Sequence, residues 1–155
     1  MFTLFCWQVA TFANFIERKE LAFTTIENIK SKRIEKQIKR NGKMPEELKR
    51  ANAFRYTLFA LSAYFHVAIL AEKFGIDLWN YNGKNSGSIK DAFDFLIENA
   101  IINDNWNYKG GVKKSQIIGM LHIASEHIDK SYSMLRDSLL EKENFNKISD
   151  IYYLQ

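Results

Sequence analysis

Three cations and a phenol crowd one short stretch of this chain. Lys49, Arg50 and Arg55 surround Tyr56 at the start of an apolar run, LKRANAFRYTLFALSAYFHVAILAEKF, that extends from Leu48 to Phe74. A buried helix with cations at its mouth suits an anion. The same sign of charge dominates upstream, with ten basic residues between Lys30 and Arg55. For Lys32, Lys36 and Lys39 the plain reading is a solvated helix face; the functional one is a track for a polyanion. A net charge of +4 favours nucleic acid, an anionic membrane surface or an acidic polysaccharide as partner. No nucleic-acid recognition motif accompanies the charge.

Other reactive groups are sparse. His66 sits among Phe65, Val67 and Ala68, where a packed, hydrogen-bonded imidazole is the plain reading. His122 and His127 are five apart, not the four that places two ligands on one helix face, and there is no HExxH. No metal site and no cofactor is proposed. Cys6 is the only cysteine, so there is no internal disulfide framework. Trp79, Tyr81, Trp106 and Tyr108 fall in expected loops. Loop aromatics stack on sugar rings or bases, or they plug the gaps between helix ends.

The elements that must position these groups read as helices. In the run from Leu48, Phe54, Leu58, Leu61, Phe65 and Ala68 recur at steps of three and four. Phe59, Ala63, Val67 and Leu70 widen that stripe, so the helix is expected to be buried on most sides. Further helices are expected over residues 4–17, 20–40, 89–99 and 113–141, with loops at 77–87 and 102–111. Asn41-Gly42 and Gly75 stop helices, and Ser88 is placed to cap one. No alternating pattern of useful length predicts a strand, so the fold class is all-α, built of antiparallel helix hairpins. One domain over 1–142 and a tail over 143–155 are expected. No segment approaches the roughly 20 apolar residues of a membrane span. The apolar start, through Ile16, reads as a buried helix; a signal-peptide core is the alternative, without a basic leader or a clear cleavage site.

Several motifs in order carry a resemblance. Ile34-Glu35-Lys36-Gln37-Ile38, Asn41-Gly42-Lys43-Met44-Pro45-Glu46-Glu47-Leu48, Arg50, and Arg55-Tyr56-Thr57-Leu58-Phe59-Ala60-Leu61 resemble the alginate lyase family. So do Gly75-Ile76-Asp77-Leu78-Trp79-Asn80-Tyr81 and the run from Ser88 to Leu96. The match covers roughly residues 5–110, corresponding to the later half of such a domain. The resemblance implies an incomplete (α/α) toroid of helix hairpins. It also implies β-elimination on an acidic polysaccharide, an alginate-like polyuronate, with no cofactor strictly required.

It further implies roles. Tyr56 matches the family's helix tyrosine, which serves as acid and often as base, and Arg50 could reach a substrate carboxylate. The plain alternative is a core aromatic and a solvated helix-start charge. A free phenol titrates near ~10, so a tyrosine acting as base needs cations beside it. Gln8, Arg55, Trp79, Trp106 and Tyr108 are the candidate substrate contacts. The family's Asn-Asn-His-Gly motif finds no match; Phe5 and Cys6 stand where it has Tyr-Asp, and Met44 replaces a Gln. Little activity is expected from this chain alone, and a non-catalytic polysaccharide-binding module is the alternative. The first helix, apolar nearly all round, is expected to need the missing half of the domain or a second copy of itself. For a full-length parent the family suggests a periplasmic or secreted location.

Overall fold

The computed structural model describes residues 2–142. The tail expected over 143–155 lies outside the described residues. Those residues are all-α, with no strand among them; the one strand-like pairing is an isolated bridge between Lys39 and Ser86. They fall into two compact units, one running to Gly111 and one beginning at Val112.

In the first unit, helix α1 (Phe2–Phe15) turns back into α2 (Lys19–Ile29). The turn is made by Glu17 at φ 59° and by the amide of Arg18, which donates to the Ala13 carbonyl at 2.8 Å. The helix expected over 20–40 is interrupted. A π-helical turn, Lys30–Ile34, separates α2 from the short α3 (Glu35–Gln37), and Ile38 is extended. Pro45 opens α4 (Pro45–Leu48), where its missing N–H costs nothing.

The central helix α5 (Ala53–Glu72) begins five residues later than the apolar pattern predicts. The chain turns over Lys49–Asn52, and Asn52 then caps the helix, its side-chain oxygen accepting the Arg55 amide at 3.2 Å. The Ala53 amide is taken by the Lys109 carbonyl at 2.8 Å. Gly75, at φ 70°, ends the helix, as the sequence predicts. Helix α5 packs against α1, α2, α4 and α6. All of the expected inner face is buried, from Phe54 to Ala68, as are Ala63, Val67 and Leu70. Phe59 is the exception, at 52% exposure. Alone among the described residues, α5 is long and apolar enough to cross a membrane. Twelve of its residues are buried within the fold.

Helix α6 (Ile89–Ile97) starts with a reciprocal cap. The Ser88 hydroxyl accepts the Asp91 amide at 3.0 Å, and the Asp91 carboxylate accepts the Ser88 amide at 2.8 Å. A second π-helical turn, Glu98–Ile102, follows it. The core between α5 and α6 is aromatic: Phe65 meets Phe93 at 5.0 Å and Trp79 at 4.8 Å, both edge to face.

The second unit holds a 3₁₀ turn (Lys114–Ile117), α7 (Ile118–His127) and α8 (Ser131–Lys142), the two helices packed as a hairpin. The single helix expected over 113–141 is therefore broken. Ile128 leaves the regular helix at φ −116°, and Asp129 caps the restart by accepting the Ser131 amide at 2.7 Å.

Candidate functional site

The start of α5 gathers most of the residues singled out above. The guanidinium carbon of Arg50 lies 4.4 Å from the centre of the Tyr56 ring, over its face. This is a cation–π contact, and it depends on the break in the chain. On one continuous helix, residues six apart stand about 9 Å apart along the axis and on different faces. The turns at Lys49–Asn52 fold Arg50 back over the ring. Tyr56 is 39% exposed, and Arg50 is exposed as well. Arg55 is also exposed, about 100° around the helix from Tyr56.

The loop carrying Trp106 and Tyr108 reaches the same place through its backbone. Besides the bond from Ala53 to Lys109, Gly110 lies against the cap at φ 83°. A Cβ there would stand 2.8 Å from the Asn52 Cα. The loop therefore closes onto α5 only with glycine at that position. Trp106 meets Phe54 edge to face at 5.9 Å and Tyr108 at 4.9 Å; Tyr108 in turn meets Phe95 at 6.3 Å. Both loop aromatics are half-buried. The Trp106 indole nitrogen is buried without a hydrogen-bond partner. Lys43 adds a cation 5.8 Å from the Phe95 ring. The result is a short aromatic step beside a cation and a phenol.

Two expected contacts lie elsewhere. Trp79 is 3% exposed; its indole N–H donates to Glu72 at 2.7 Å and its ring is held by Phe65. Of the two readings of this loop aromatic, plugging is the one its burial fits. A ring enclosed on this scale has no face to offer a sugar, which corrects its expected role as a substrate contact. Gln8 is exposed on α1. Its neighbour Trp7 meets α5 at His66, ring centres 4.8 Å apart. His66 is ten residues beyond Tyr56, about 15 Å along the helix. Gln8 therefore belongs to the other end of α5.

His66 follows the plain reading. Its Nδ1 is 2.7 Å from the Ser62 carbonyl, which fixes that nitrogen as the donor. His122 Nδ1 lies 3.0 Å from an Arg136 guanidinium nitrogen. Among the described residues no three His, Cys, Asp or Glu side chains come together as a metal site.

The basic stretch divides in two. Lys30 pairs with Glu27 at 2.7 Å and Lys49 with Glu46 at 2.9 Å; the hydrogen bond from Lys49 holds the Glu46 carboxyl below its usual range. Lys32, Lys36 and Lys39 are exposed, as a solvated face requires.

A polar knot escaped the sequence reading. The Gln37 side-chain oxygen accepts both the Tyr64 hydroxyl, at 2.8 Å, and the Thr3 hydroxyl, at 3.2 Å. It joins α1, α3 and α5. Burial, the largest cause, pushes the Tyr64 phenol well above the usual tyrosine range. Asn52 and Gly110 were missed as well. An Asn just before an apolar run is a legible cap signal; the approach of Gly110 is not legible, because it depends on a contact 58 residues away.

A family model described as "Alginate lyase" matches residues 2–106. A crystal structure of an alginate lyase from Bacteroides ovatus is similar over 97% of this chain, with 28% identity and a TM-score of 0.80. The chain spans 41% of the length of that protein. A comparison with curated proteins finds no match.

Proposed function

The chain belongs to the alginate lyase family, and we propose that it carries one side of a cleft that cleaves alginate or a related polyuronate by β-elimination. The observation that carries this reading is the Arg50 guanidinium lying over the exposed Tyr56 ring. A uronate carboxylate drawn to Arg50 has part of its charge offset, which makes the proton on the neighbouring carbon more acidic. A base takes that proton, the released pair becomes a carbon–carbon double bond, and the bond to the glycosidic oxygen beta to the carboxylate breaks. The Tyr56 hydroxyl gives the departing oxygen its proton. If the phenol serves first as base, the net change is one proton moved from carbon to oxygen. Trp106 and Tyr108 offer a neighbouring sugar a surface, and Arg55 a second cation.

The family's Asn-His pair has no counterpart in these residues. Loss of such a hydrogen-bonding group costs on the order of 10²–10³ in rate, and the chain spans 41% of its solved relative. Little activity is therefore expected from these 155 residues without the remainder of the cleft. The test is release of unsaturated uronate by the purified chain. Strong release that disappears in Tyr56→Phe would overturn the expectation of low activity. Strong release that survives Tyr56→Phe would overturn the role of the phenol.

The aromatic step beside Lys43 favours a second reading, a module that holds an acidic polysaccharide without cutting it. This reading predicts binding that weakens with salt and survives Tyr56→Phe. Calorimetry at low salt that detects no heat with oligouronates would exclude it. We extend the lyase-type domain over residues 1–142, and place a longer parent protein in the periplasm or outside the cell. Fractionation of expressing cells that leaves the parent in the cytoplasm would refute that location.

A further inference from the structure

The cations of the first unit are held in two ways. Lys30, Lys49 and Lys90 each pair with a carboxylate, that of Glu27, Glu46 and Asp94 respectively. Lys43 and Arg50 have no carboxylate partner among the described residues. Each lies over an aromatic ring instead, Lys43 over Phe95 at 5.8 Å and Arg50 over Tyr56 at 4.4 Å. A ring face holds a cation in place without neutralising it. An ammonium has three donors, and a ring on one side leaves donors for an anion on the other.

Lys43 stands on a fixed base. Its carbonyl accepts the Lys39 amide at 2.9 Å, and its own amide donates to the Asn41 side chain at 3.3 Å. Gly42, at φ 74°, brings this turn against α6. A Cβ there would overlap the Asp91 carbonyl oxygen and stand 2.8 Å from the Phe95 Cβ, so the turn delivers Lys43 to Phe95. From Phe95 the rings continue to Tyr108 at 6.3 Å and on to Trp106 at 4.9 Å. Trp106 then meets Phe54 at the start of α5 at 5.9 Å, two residues before the ring that carries Arg50. One run of aromatic contacts therefore has a cation without a carboxylate at either end.

We propose that Lys43 determines specificity at this site by binding the carboxylate of a second uronate in the same polysaccharide chain whose first carboxylate is held by Arg50. The site then selects a continuous polyuronate over a chain with a single acidic sugar. This rests on the polyuronate reading above and adds to it a residue and a length requirement. Tyr108, half-buried between the two cations, lies along the sugars that join the two carboxylates. Because one chain carries both carboxylates, the second contact forms within a complex that already exists.

The experiment is calorimetric titration of the full chain at low salt with oligomannuronates of increasing length, beside Lys43→Gln and Lys43→Arg. The expected result for the wild type is an affinity that rises by about tenfold at the length that first spans both cations. Lys43→Gln should lose that rise and keep the wild-type affinity for shorter oligomers, and Lys43→Arg should retain the rise. A rise undiminished in Lys43→Gln overturns the proposal, as does an equal loss at every length. A second measurement needs no variant. The rise should shrink as salt screens the charges; one that persists in about 1 M salt comes from stacking and overturns the role of Lys43. If short oligomers bind with no rise at any length, the proposal alone fails. If no oligomer binds at any length, the polyuronate reading of the site fails, and the proposal with it.

Discussion

Arg50 lies over the face of Tyr56 at 4.4 Å, although the two residues flank a break in the chain. Flat guanidinium groups stack on aromatic rings in a way that an ammonium does not reproduce. Arg50→Ala is expected to weaken binding of short oligouronates by about tenfold, near the low end of what a charge-assisted hydrogen bond contributes. Arg50→Lys should recover only part of the loss. Calorimetric titration of both variants checks this; equal affinity in the wild type and Arg50→Ala would remove Arg50 from the site.

Gly110 should resist substitution. It combines φ 83° with a backbone approach that leaves no room for a Cβ beside Asn52. Gly110→Ala is expected to destabilise the fold by about 2 kcal/mol, the usual cost of a side chain held in that backbone region. Gly111, next in sequence, has open space around its own missing Cβ and serves as the control. Denaturant midpoints of the two alanine variants should separate clearly, with Gly111→Ala close to the wild type.

Thr57 is 1% exposed, and its hydroxyl has no hydrogen-bond partner. An unpaired buried hydroxyl costs on the order of 1–3 kcal/mol. Thr57→Val removes the hydroxyl and keeps the shape. It should stabilise the chain by about 1 kcal/mol, read as a higher denaturant midpoint with an unchanged slope. A loss of stability would mean that the hydroxyl has a partner after all.

Alkaline pH should weaken the fold through two phenols. Burial raises Tyr64, and at Tyr81 the hydrogen bond to Glu35 is the largest cause of an upward shift. Each folded phenol holds its proton more tightly than its unfolded counterpart. Their contribution is complete below the unfolded value of about 10 and is lost as pH rises through the folded values. Unfolding free energy should therefore be level approaching pH ~10 and decline above it. In Tyr64→Phe the decline should be shallower, while the starting stability is lower because Gln37 loses a donor.

Much of α5 was legible because its inner face repeats at the helical period, and Phe54, Leu58, Leu61 and Phe65 are buried as that period requires. Phe59 was not, since periodicity reports an apolar side chain and not the presence of a neighbour to cover it. The late start of α5 depends partly on Asn52, which is local, and partly on the Lys109 carbonyl, which is not. The breaks at Lys30–Ile34 and Ile128–Lys130 leave the apolar pattern almost undisturbed, so residues 20–40 and 113–141 each read as one helix. At the candidate site, Tyr56, Arg50, Trp106 and Tyr108 stand out in the sequence by residue type. Their gathering at one helix end does not, because it requires the chain to turn before Asn52 and the loop to close on Gly110. Trp79 was misplaced because nothing nearby in sequence announces Phe65 as the partner that takes it inside.

The π-helical turn at Lys30–Ile34 sets a phase. Such a turn accommodates one residue more than an α-helix would over the same length, so everything after it is rotated by about 100° relative to an uninterrupted helix. Glu35 begins in that rotated frame, and in it meets the hydroxyl of Tyr81 at 2.5 Å; two residues on, Gln37 faces Thr3 and Tyr64. Removing a single residue from the turn would straighten the helix and swing both side chains off their partners together. The register of three helices and of the Tyr81 loop thus depends on one additional residue, whose identity matters less than its presence.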